Sequence, residues 1–280
     1  MKHEILSDPS LSYAPCRYGL SRQFFRGPRR NLDAPYVAFI GGTETYGKFI
    51  ERPFPDLVEA SLGMTCANFG LVNAGVDAYV NDPAIISACH DAKVTVIQIL
   101  GAQNLSNRFY KVHPRRNDRF LSASTVMKAV YSDTDYADFS FNRHMLLQLY
   151  HQYADRFDIL RNELQEAWSA RMNTLIESID GPVVLLWLSD QPLTDLKWND
   201  RPEPFRHDPL FVTRTMVEKL MTKASYLVEV QPSVEARQRG TEGMVFPMLS
   251  SGAASEMAGV QAHSETAAKL LPVLRGMLGH

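Results

Sequence analysis

The sequence predicts an α/β domain of three layers, a mostly parallel five-stranded sheet between two layers of helix. Short apolar runs recur along the chain, and the first three end on glycine. Helix-forming segments with capping signals fall between them. The runs are apolar at nearly every position instead of alternating, which fits a sheet covered on both faces.

Residues 1–34 form a polar, Pro- and Arg-containing N-terminal extension, and the domain proper covers 35–280. "YVAFI" (36–40) is a buried strand stopped by Gly41 and Gly42. "PDLVEASLG" (55–63) reads as a helix with Gly63 just past its end. "TCANFG" (65–70) is a second strand. In "DPAIISACHDA" (82–92), Asp82 stands at an N-cap and Pro83 at the first helical position. "VTVIQIL" (94–100) is a third strand, stopped by Gly101. An insertion follows at about 105–140, too long for a simple connector. A broken helical segment covers about 141–179. "PVVLLWLSD" (182–190) is the fourth strand, "FVTRTMVEKLMTKA" (211–224) an amphipathic helix and "YLVEVQ" (226–231) the fifth strand. "SETAAKLLPVLRGML" (264–278) closes the chain as a helix, with Pro272 as a point of kink or restart.

Composition excludes several classes. Of 280 residues, 45% are hydrophobic and 21% charged, with a net charge of −2. Nucleic acid or a membrane surface would call for a charge excess that is absent. No stretch has the apolar length of a signal peptide or a membrane span. Cys16, Cys66 and Cys89 are odd in number, lack metal spacing and read as inert reduced thiols. The expectation is a cytoplasmic protein, without metal or other cofactor, acting on a small molecule.

In such sheets ligands meet the carboxyl ends of the strands. The stretch "FIGGTETYGKF" (39–49) lies there and has two readings. From Gly42 it is G-x-x-x-x-G-K, a phosphate-cradling pattern, and Asp190 at the end of the fourth strand would suit a metal–phosphate site. Phe49, however, stands where that loop needs Ser or Thr, and Glu44 would oppose an anionic ligand. From Gly41 it is a glycine turn presenting the hydroxyl of Thr43.

The second reading gains a resemblance. "FIGGTETYG" resembles block I of the SGNH (GDSL-type) hydrolases, with Thr43 at the place of the nucleophilic Ser and Gly42 in place of Asp. "NFGLVNAG" (68–75) resembles block II, where Gly70, Asn73 and Gly75 compete to donate to an oxyanion. "ILGAQN" (99–104) resembles block III, with Asn104 one place late and Gln103 in the expected place. "VQAHSETAAKLL" (260–271) resembles block V, with His263 as general base. The resemblance spans roughly 36–275 and implies a flavodoxin-like fold and acyl chemistry. A hydroxyl attacks once an imidazole takes its proton, and donors held about 3 Å away stabilise the oxyanion. The family's acid, three residues before the His, is Val260 here, so Glu256 or Asp190 would have to orient His263.

Alternatives remain beside each role. Thr43 equally suits a helix cap, and Thr45 is a second hydroxyl in the turn. Gly41, Gly42, Gly70 and Gly75 also serve as plain turn residues. His113 is a rival base. Arg115 or Arg116 in "HPRRND" would bind an anionic substrate group by a bidentate contact. The reading is an SGNH-like hydrolase or acyl-transfer enzyme. Its rivals are a degenerate site that binds an anionic metabolite or protein partner without turnover, and a P-loop-like phosphate site.

Overall fold

The computed structural model describes residues 10–196 and 203–279. Strand β1 (Tyr36–Ile40) leads through Gly41 and Gly42 into a single helical turn, α1 (Thr43–Tyr46), closed by Gly47 at φ 71°. Helix α2 (Phe54–Leu62) ends on Gly63 at φ 66°. Strand β2 (Thr65–Asn68) follows, then α3 (Asp77–Val80) and α4 (Pro83–His90). The Asp82 carboxylate caps α4, accepting the Ala84 and Ile85 N–H groups at 3.2 and 3.3 Å.

After β3 (Val94–Gln98) the insertion folds as an antiparallel hairpin, β4 (Tyr110–His113) and β5 (Arg116–Ala123), followed by α5 (Thr125–Val130). The long helical segment divides into α6 (Asn142–Gln152) and α7 (Phe157–Ile179). The chain then runs through β6 (Val183–Leu188), α8 (Arg214–Leu220), β7 (Tyr226–Val230), α9 (Val234–Arg239) and α10 (Ser251–Ser255). Helix α11 (Val260–Leu278) begins at Val260, earlier than the expected Ser264, and runs through Pro272 without ending.

The sheet is parallel throughout, in the order β2-β1-β3-β6-β7. Numbered within the sheet alone this is 2-1-3-4-5, the flavodoxin-like order. Successive strand residues face opposite layers. Val37 and Phe39 of β1 pack with Phe54, Val58, Leu270 and Leu274 from α2 and α11, whereas Ala38 and Ile40 join the larger core that holds Tyr79 and Trp168. The strand order reverses between β1 and β3, so the ligand crevice of the fold opens beyond Ile40 and Gln98.

The described part of the extension belongs to the fold. Tyr18 and Phe25 pack edge-on against Phe69 with centroids 4.9 and 5.6 Å away. Arg26 is buried and donates to the carbonyl oxygens of Gly47 at 2.6 Å and Glu51 at 2.7 Å. It thereby satisfies backbone acceptors just past α1 that would otherwise be costly to bury. Residues 1–9 of the expected extension lie outside the described residues.

Candidate functional site

The turn after β1 is organised by Gln98, the last residue of β3. Its Oε1 accepts the N–H groups of Gly42 at 3.0 Å and Thr45 at 3.2 Å, and the Thr45 hydroxyl at 2.6 Å. A side chain from a neighbouring strand thus does the work of an N-cap. Gly41 makes this approach possible, since a Cβ there would lie 2.2 Å from Thr45 Oγ1 and 2.6 Å from Gln98 Cβ. Gln98 Nε2 donates to Glu44 Oε2 at 2.9 Å. Thr43 is therefore relieved of capping, and its side chain makes no cap bond.

The Thr43 hydroxyl faces Asn73. Its Oγ1 accepts the Asn73 backbone N–H at 3.0 Å and donates to Asn73 Oδ1 at 3.1 Å. Asn73 sits at φ 55°, a left-handed conformation that Asn tolerates better than most residues. Asn104 Nδ2 donates to Asn73 O at 3.4 Å, and Asn142 Nδ2 donates to Asn104 Oδ1 at 3.2 Å. Asn142 also donates to Asn117 O at 2.5 Å, so amides from four segments lock the mouth of the site to the hairpin and to α6. Trp168 of α7 ties down the end of β3 by donating to Leu100 O at 2.7 Å.

Gly42, Thr43, Glu44, Asn73 and Asn104 line one cavity of about 1160 Å³ at the carboxyl ends of the strands. Asp190, just past β6, lines it too, with its carboxylate 3.0 Å from His207 Nδ1. A neutral imidazole bonded to a carboxylate through Nδ1–H presents Nε2 as a base. Asp208 is held by Gln103 Nε2 at 3.0 Å and by Arg143. The lining carries more carboxylates (Glu44, Asp118, Asp190, Glu203, Asp208, Glu256) than guanidinium groups (Arg143, Arg206, Arg237). Glu44 is half-buried, and burial is the main cause that pushes its carboxyl above the usual range.

Several expectations are corrected. His263 is buried in the second turn of α11, where its Nδ1 accepts the Phe54 N–H at 3.1 Å and its ring stacks on Phe54. Burial, with the charge of Arg26 adding to it, pushes its pKa down to about 3, too low for a base near neutrality. Gly259 and Ala262 reach the cavity from that helix, and His263 points to α2 instead. Glu256 lines the cavity but is not bonded to His263. The Gly70 N–H is taken by Asn68 Oδ1 and the Gly75 N–H by Asn117 Oδ1, both at 2.9 Å, so neither is free for an oxyanion. Arg115 and Arg116 lie at the exposed turn of the hairpin and do not line the cavity.

The phosphate reading loses its donors to Gln98, and Lys48 rests 4.9 Å from the Phe49 ring. His113 is likewise outside the lining. Among the described residues no group of His, Cys, Asp and Glu stands as a metal site, and no helix is long and apolar enough to cross a membrane. Two residues escaped the sequence reading. Gln98 was signalled by its polarity at the end of an apolar strand. His207 was signalled only by lying in the segment that leaves the carboxyl end of the fourth strand.

The chain is similar in structure to several esterases and a lipase. A carbohydrate acetylesterase family member from Sinorhizobium meliloti matches with a TM-score of 0.46 and 9% identity, covering 88% of this chain and 100% of that one. A family two carbohydrate esterase from Clostridium thermocellum gives 0.45 and 11%, covering 92% and 68%. A lipase from a goat rumen metagenome gives 0.40 and 14%, covering 85% and 96%. At these values the activities stay with those proteins. No curated protein matches this sequence. A family model, by contrast, matches residues 1–278, nearly the whole chain, and on that match the protein belongs to the family described as a domain of unknown function, DUF6473.

Proposed function

We propose that the cavity carries out acyl transfer from an ester, to water or to an acceptor hydroxyl. Thr43 is the nucleophile, and His207, oriented by Asp190, is the base. The Asn104 amide, which has a second N–H beyond the one given to Asn73 O, is the oxyanion donor, and the Asn73 N–H positions the nucleophile's oxygen. One observation carries the reading: the Thr43 hydroxyl is held against the Asn73 N–H at 3.0 Å, in a cavity that also contains the Asp190–His207 pair. That bond fixes where the attacking oxygen sits in the cavity, which is the positioning that acyl chemistry needs. The carboxylate-rich lining favours a neutral or cationic acyl substrate over an anionic one.

A fluorophosphonate probe followed by intact-mass measurement tests this. Labelling of the wild type that disappears in Thr43→Ala and falls in His207→Asn supports it. Labelling that survives Thr43→Ala sinks it. A second reading, binding without turnover, is favoured by the Thr43 proton, which goes to Asn73 Oδ1 at 3.1 Å. Under that reading the wild type hydrolyses no aryl acetate and takes up no probe, while the cavity still binds a ligand.

A further inference from the structure

Glu44 follows Thr43 on the single turn of α1 and faces the same cavity. Gln98 fixes its hydrogen bonding. The Gln98 amide cannot be turned over, because its Oε1 is the acceptor for the backbone N–H groups of Gly42 and Thr45. Its Nε2 must then point at Glu44 Oε2, 2.9 Å away, and donate to it. A carbonyl oxygen is the better acceptor for this bond, so a proton on this carboxyl is favoured on Oε1. Resting on the acyl-transfer reading, we propose that Glu44 is a catalytic acid, a neutral carboxyl that delivers the Oε1 proton to the oxygen of the departing alcohol.

The surroundings support a neutral carboxyl. Burial disfavours its charge most strongly, the bonds from Gln98 and from its own backbone N–H oppose this more weakly, and the nearby charge of Asp208 adds a smaller push in the first direction. Asp208 is itself held by Arg143 of α6 and by Gln103. The Asp190–His207 pair and Asp118 share the cavity wall.

The steps balance as follows. Thr43 Oγ1 bonds to the acyl carbon while its proton passes to His207. The tetrahedral adduct collapses, its bond to the alcohol oxygen breaks, and that oxygen takes the Glu44 proton. Water then attacks the acyl-threonine and gives one proton to the Glu44 carboxylate. The Thr43 oxygen leaves with the proton held on His207. One carboxylic acid and one alcohol are released, and both side chains return to their starting states.

The test compares wild type and Glu44→Gln on two acetates. p-Nitrophenyl acetate has a leaving group that needs no proton, whereas ethyl acetate has one that does. The expected result is a loss of kcat on ethyl acetate on the order of 100-fold beyond any loss on p-nitrophenyl acetate. Equal losses on both overturn the proposal. If the wild type hydrolyses neither ester, the acyl-transfer reading fails, and the infrared difference spectrum of wild type minus Glu44→Gln at neutral pH decides separately. A protonated-carboxyl stretch keeps Glu44 as a neutral donor in the cavity; carboxylate bands in its place overturn that as well.

Discussion

His263 Nδ1 accepts the backbone N–H of Phe54 at 3.1 Å, tying the second turn of α11 to the first residue of α2. The imidazole is neutral in the folded protein, its pKa lowered from 6.5 to about 3. In the unfolded chain it takes up a proton near 6.5. Between those values the unfolded state binds more protons than the folded one, so stability falls as pH falls. The slope from this residue reaches about 1.4 kcal/mol per pH unit. Urea unfolding of wild type and His263→Asn between pH 6.5 and pH 4 reads it, and the variant should show the shallower dependence.

Gln98 satisfies two backbone N–H groups of the turn that carries Thr43. Gln98→Leu leaves both without their acceptor, at a cost of about 2 kcal/mol or more. The denaturation midpoint should drop accordingly. An unchanged midpoint would mean that water caps α1 equally well.

Asn73 holds φ 55° and offers its N–H to Thr43. Asn73→Gly keeps both the backbone conformation and the N–H. Asn73→Ala keeps the N–H but strains the left-handed region by about 1 kcal/mol. The glycine variant should therefore be the more stable of the two and retain more of the Thr43 labelling. The reverse order would detach the Thr43 site from the conformation of Asn73.

Arg26 is a buried guanidinium spanning the Gly47 and Glu51 carbonyls. Arg26→Ala should cost about 2–4 kcal/mol, because its charge-assisted bonds to Gly47, Glu51 and Tyr46 vanish and the Gly47 acceptor stays buried. Arg26→Lys should recover only part of this, since one ammonium lacks the planar fork. Thermal unfolding of the two variants measures the difference.

Arg115 and Arg116 stand at an exposed hairpin turn. The double substitution to Ala should leave both probe labelling and stability as in the wild type. A raised KM for an acyl substrate would return the hairpin tip to the site.

The sheet was legible because its strands carry unbroken apolar runs and its turns carry glycine. Asp82 and Pro83 marked α4 for the same local reason. The Thr43 turn was legible because a strand end in a parallel sheet is a known place for a ligand. His263 misled because α11 starts at Val260, and on a helix each residue is turned by about 100° from the last. Its neighbour Ala262 reaches the cavity while His263 meets Phe54. Gly70 and Gly75 misled differently. A glycine in a sequence does not say whether its N–H is offered or its missing side chain is needed. Here a Cβ at Gly70 would stand 2.3 Å from Tyr46 N, and one at Gly75 would stand 1.6 Å from Asn104 O. Both glycines admit neighbouring backbone. His207 lies in a loop with no periodic pattern to single it out, and its partner Asp190 became informative only once the fold joined them.

The fit of Gln98 over Gly41 also constrains descent. Thr45 and Gln98 fill the volume a side chain at position 41 would need, so Gly41 cannot gain one while both stand. A side chain can enter at position 41 only if Thr45 loses its hydroxyl and the Gln98 Cβ moves or is lost, and loss of the Gln98 amide strands the N–H groups of the turn. The order of substitutions that would admit a side chain at position 41 is thereby restricted.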